Sequence, residues 1–89
     1  MPDQIDMDHL SRHQLFEAAR QQAEWTVEQL WLSYVALAGS LVIFDLDGYL
    51  AGPTPMPPTQ QDVLACALNE RLADLHQDLR VPYLAVLPE

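Results

Sequence analysis

Leu41-Val42-Ile43-Phe44-Asp45-Leu46-Asp47-Gly48-Tyr49-Leu50 decides the fold class of this 89-residue chain, because it can be read in two ways. As a strand, the apolar run 41–44 would be buried and Asp45–Gly48 would form the loop at its end. As a helix over about 41–51, it would be capped by Ser40 and stopped by Gly52. Val42, Ile43, Leu46, Tyr49 and Leu50 would then share one face, with Asp45 pointing outward. Two β-branched residues oppose the helix, as does Gly48, which costs about 1 kcal/mol relative to alanine. The helix is preferred because the segment follows a long helical stretch rather than the βαβ units that a parallel sheet requires.

That preceding stretch opens with Ser11 as N-cap and Gln14 three residues later, a capping box, with Leu10 and Leu15 placed to form a hydrophobic staple. Apolar residues then recur at helical spacing from Leu15 to Ala38, and no proline or glycine intervenes before Gly39. One helix over about 12–38 is expected, ~40 Å long at 1.5 Å per residue. Its first half is amphipathic, with Glu17, Arg20, Glu24 and Glu28 on the wet side. From Leu30 to Ala38 only Ser33 is clearly polar, so this half must be covered on nearly all sides.

Beyond Gly52, Pro53-Thr54-Pro55-Met56-Pro57-Pro58 reads as a stiff extended linker. Its Pro55-x-x-Pro58 spacing also occurs in SH3 ligands, but a connector that aims the next helix is the simpler reading. Thr59 and Asp62 resemble a capping box at the start of a third helix over about 60–77, where Leu64, Leu68, Leu72 and Leu75 form a stripe beside Val63 and Ala67. Pro82 makes the tail from Arg80 extended, and its apolar residues should dock on the helices or on a partner chain. The expected architecture is all-α: an acidic arm at 1–10, then a single helical domain over 11–89.

Thirteen acids face four arginines and no lysine, for a formal net charge of −9. That balance disfavours nucleic acid and anionic lipid, which need clustered cations, and favours a basic partner or simple solubility. The N-terminal residues are acidic and lack the basic start of a signal peptide. The uncharged span 29–44 is shorter than the ~20 residues that cross a bilayer. A cytoplasmic protein without membrane attachment is expected. The single cysteine, Cys66, excludes an internal disulfide and reads as a small buried apolar residue.

Four patterns bear on chemistry. Val42–Gly48, with its Asp45-Leu46-Asp47-Gly48, resembles the first motif of the haloacid dehalogenase-type phosphatases. The resemblance implies Asp45 as nucleophile and Asp47 as general acid/base beside Mg²⁺. The match is judged accidental. Tyr49 stands where that family has threonine or valine, no lysine follows, and no later acidic pair could hold the metal. A calcium loop starting at Asp45 fails at its fifth and twelfth positions, Tyr49 and Met56. His9, His13 and Glu17 have the i, i+4, i+8 spacing of a zinc face, but Ser11 places His9 outside the helix and no fourth ligand is evident. No glycine-rich phosphate loop, serine-nucleophile elbow or CxxC pair is present. No catalytic residue, metal or cofactor is therefore assigned.

The remaining feature is aromatic. The two later helices are too short to cover both faces of a ~40 Å helix. Trp25, Leu30, Trp31 and Tyr34 are thus the expected interface of a homodimer. The segments Leu30-Trp31-Leu32-Ser33-Tyr34-Val35-Ala36-Leu37-Ala38-Gly39, Tyr49-Leu50-Ala51-Gly52, Asp62-Val63-Leu64-Ala65, Ala67-Leu68-Asn69-Glu70-Arg71-Leu72 and Val81-Pro82-Tyr83 resemble small acidic helical proteins of uncharacterised function from high-GC bacteria. No catalytic assignment comes with that resemblance. The expected role is an acidic helical interaction or regulatory protein, homodimeric, that binds a protein partner. Its alternatives are an acidic inhibitor of a basic protein, antitoxin or anti-sigma-like, and, more remotely, a Mg-dependent phosphatase using Asp45.

Overall fold

A computed structural model of the chain describes residues 11–84. The acidic arm at 1–10, with His9 and the Leu10 staple, lies outside the described residues, as does the tail beyond Leu84. Four helices form, α1 Arg12–Gln22, α2 Val27–Ala36, α3 Ile43–Ala51 and α4 Pro58–Asp74. Among the described residues there is no strand. The decisive segment is thus helical, and the all-α expectation holds.

The single long helix over 12–38 does not form; it breaks at residues 23–26 into α1 and α2. The cause is written twice in the sequence. Ser11 and Gln14 cap α1 reciprocally, and Thr26 and Gln29 do the same for α2. The stop before Thr26 is hidden because the residue in left-handed conformation is Glu24 (φ 60°), not glycine. Its neighbours make the paired bonds of a Schellman turn, Glu24 N–H to the Gln21 carbonyl and Trp25 N–H to the Arg20 carbonyl. Two arginines then satisfy carbonyls that the break frees. Arg20 Nη1 donates to the Trp25 carbonyl at 2.7 Å, and Arg71 Nε to the Ala23 carbonyl at 3.0 Å, its guanidinium stacked over the Trp25 ring.

The break lets the chain cover itself. α1 and α2 each pack against both α3 and α4, which a straight rod could not do along its length. The core comprises Phe16 and Ala19 of α1, Leu30 and Tyr34 of α2, Leu46, Tyr49 and Leu50 of α3, and Leu64, Leu68 and Leu72 of α4, all buried. The predicted α4 stripe is therefore correct, although Leu75 is only half-buried.

Helix boundaries follow local chemistry. α2 stops with Ala38 in the left-handed region (φ 76°), one residue before the expected Gly39. Gly39 is needed for a different reason: a Cβ there would collide with the Tyr34 ring. Ser40 does not cap α3. The N-cap is Val42, with no side-chain bond, and Gly52 (φ 119°) ends the helix as expected. α4 begins not at Thr59 but with Pro57 as N-cap and Pro58 in the first turn, where a missing N–H costs nothing. It ends at Asp74 rather than 77 through a third Schellman turn with a non-glycine residue, His76 (φ 58°). The extended tail then runs back along α4. Asn69 pairs with the Val81 backbone at both N–H (2.8 Å) and carbonyl (3.0 Å), and Asp62 accepts from Leu84 N–H. Val81 is buried, so the described part of the tail docks on its own helices.

Candidate docking surface

Of the four residues expected at an interface, two are sealed in the core and two are half-buried. Leu30 and Tyr34 are 0% exposed. Trp31 is half-buried and donates from Nε1 to the Leu41 carbonyl at 2.9 Å; Trp25 is half-buried beneath Arg71. Tyr34 is the hub of the α2–α3 turn. Its hydroxyl accepts from the backbone N–H groups of Ser40 (3.1 Å) and Leu41 (3.0 Å) and donates to Gln60 Oε1 on α4. Helical spacing cannot tell an aromatic that meets a partner from one that organises its own loop.

What α2 turns outward is different. Leu32, Val35 and Leu37 are exposed, and so are Val42, Ile43 and Phe44 at the start of α3. Phe44 is the extreme case at 81%. All six fall in the uncharged span 29–44, and three of them belong to the half that was expected to be covered on nearly all sides. Val42 and Ile43 were expected on the buried face of the helix. They lie ahead of the turn at which Leu46, Tyr49 and Leu50 enter the core, so only the later half of α3 is inward.

At the starts of α2 and α3 lie two adjoining depressions that share Val27 and Asp47. One, of about 380 Å³, is lined by Val27, Ile43, Phe44 and Asp47. The other, of about 250 Å³, reaches Glu17, Arg20, Leu50 and Ala51. Arg20 grips Glu17 through both nitrogens of its fork (2.8 and 2.5 Å), which holds the Glu17 carboxyl below its ordinary range and raises the arginine. Asp47 is exposed and forms no hydrogen bond or ion pair with another described residue, feeling Arg20 only through space.

The other arginines also bond the chain itself. Arg12 bonds the Pro82 carbonyl and Gln61, and Arg80 bonds the Gln77 and Leu79 carbonyls. With Arg20 and Arg71 on Trp25 and Ala23, each of the four arginines is spent on the chain's own backbone. With thirteen acids against these four arginines, the surface field is negative.

Asp45 and Asp47 sit on α3, and Gly48 has a packing reason to be glycine. The chain after Gly52 folds back so that a Cβ at 48 would collide with Thr54 Oγ1. The strand and loop that aim an aspartate at phosphorus in the phosphatase motif are thus replaced by a helix turn against Thr54. His13 lies against Gly52, while Glu17 is held by Arg20. Among the described residues no group of three His, Cys, Asp or Glu side chains is placed to hold a metal. Cys66 is half-buried rather than buried, and its thiol is pushed up by burial and by Glu70, whose carboxylate lies 3.6 Å away. No helix of the described residues is long and apolar enough to cross a membrane. No family model, curated protein or solved structure matches the chain.

Proposed function

We propose that this chain is a small acidic interaction protein of the cytoplasm, homodimeric, which regulates a protein partner by binding it rather than by catalysis. The observation that carries this reading is the exposed apolar pair Leu32 and Val35, one turn apart on the outer side of α2. The single chain builds its buried core from other residues, which leaves this side of α2 open to a second surface. Burying it against a second surface returns about 25 cal/mol per Å². The dimer contact accordingly belongs to the outer side of α2, with Trp25 and Trp31 supporting it from within, and not to Leu30 and Tyr34. The resemblance to small acidic helical proteins of high-GC bacteria belongs with the same reading.

Light scattering coupled to size exclusion tests it. A dimer mass that falls to the monomer on Leu32→Ser with Val35→Ser supports the contact. A monomer from micromolar to millimolar concentration removes the homodimer.

A second reading, an acidic inhibitor of the antitoxin or anti-sigma kind that masks a basic protein, is favoured by the net charge of −9. It requires a partner released by salt; retention from 0.05 to 1 M salt, a range over which the Debye length falls severalfold, argues against it.

A further inference from the structure

We propose that the trough between the start of α2 and α3 receives an apolar residue with a neighbouring arginine or lysine from a segment of a partner protein. The apolar side chain would lie against Phe44, Ile43 and Val27, and the cation would meet Asp47. This deepens the reading of the chain as an interaction protein and rests on it.

Three observations converge on that occupant. The trough is apolar where Phe44, Ile43 and Val27 line it, and Phe44 is the most exposed large apolar side chain among the described residues. Its other wall ends in Asp47, whose carboxylate is tied to no neighbour, because the nearby Arg20 is already held by Glu17 and the Trp25 carbonyl. The whole chain carries −9, which draws cations in and repels an anionic occupant. A second copy fits this trough poorly: it brings its own Asp47 and the same net charge of −9. The homodimer face on the outer side of α2 needs no charge, whereas the trough does. The two surfaces therefore select different partners.

The test uses the full chain and a fluorescein-labelled amphipathic peptide of leucine and arginine. Two control peptides accompany it, one with glutamate for arginine and one with serine for leucine. Anisotropy should show saturable binding of the leucine–arginine peptide alone, weakened by salt. Asp47→Asn and Phe44→Ser should each weaken it by about tenfold or more, the loss expected at a buried contact centre. Unchanged far-ultraviolet circular dichroism establishes that both variants fold. No binding to the wild type, equal binding of the glutamate peptide, or affinity unaffected by both substitutions overturns the proposal. Light scattering on the same samples separates the two readings. A monomer that binds the peptide loses the dimer and keeps the trough, and a dimer that ignores it does the reverse.

Discussion

Leu30 and Leu32 lie two residues apart on one helix, yet Leu30 is sealed in the core and Leu32 is 56% exposed. The two buried tyrosines differ in a parallel way. The Tyr34 hydroxyl serves the Ser40 and Leu41 amides and Gln60, while the Tyr49 hydroxyl finds no partner among the described residues and its ionisation is pushed up by burial. Identity does not set the role of a residue here; the face of the helix does, and hydroxyl position sets whether a buried tyrosine holds a loop or merely fills space. The inward set folds the chain, and the outward set is left for another molecule.

The leucine pair offers the sharpest way to break that comparison. Leu30→Ala should cost about 2–5 kcal/mol in urea unfolding, the range for emptying a core leucine site. Leu32→Ala should stay within about 0.5 kcal/mol, measured at a concentration where the chain is monomeric. Equal losses would mean that the outer face is part of the core. The tyrosines come next. Tyr34→Phe strands the Leu41 amide, while the Ser40 amide keeps Gln60 Oε1, and should cost about 1–2 kcal/mol, whereas Tyr49→Phe, which removes an unpaired hydroxyl, should be neutral or stabilising. Thr26→Ala should cost about 1 kcal/mol through the lost cap of α2, readable as a lower urea midpoint. The smallest effect is a gain. Ala38→Gly relieves a left-handed non-glycine residue and should raise stability by up to about 1 kcal/mol, less the added entropy of the unfolded glycine.

Much of the fold was legible in the residues. The Ser11 box, Gly52, the proline linker and the leucine stripe of α4 all announce themselves through standard chemistry. The break at 23–26 was legible too, because Thr26 and Gln29 repeat the Ser11–Gln14 pattern, but the uninterrupted apolar spacing over Leu15–Ala38 outweighed it. Helix ends were the hardest part. Three of the four turn through a left-handed Glu24, Ala38 or His76, where propensity calls for glycine and tertiary contacts prevail instead. Arg20 and Arg71 are such contacts at the first. At the surface, the uncharged span 29–44 did mark the unusual region. The aromatics within it drew attention to its inner side because periodicity reports that a residue faces one way without saying which way is in. Phe44 was left off the predicted apolar face of α3, and the tertiary position of that helix shows how far it stands in water.

The Tyr34 hydroxyl has a kinetic corollary. Ser40 and Leu41 belong to a turn between helices, and turn amides ordinarily trade their hydrogens with solvent quickly. Here the Leu41 N–H ends on the hydroxyl of a fully enclosed ring, so releasing it means moving that ring, whereas the exposed Ser40 N–H is shared between the hydroxyl and Gln60 Oε1. The Leu41 amide should therefore open only with the global transition, on the clock of the core and not of the loop that contains it, and more slowly than its neighbour Ser40.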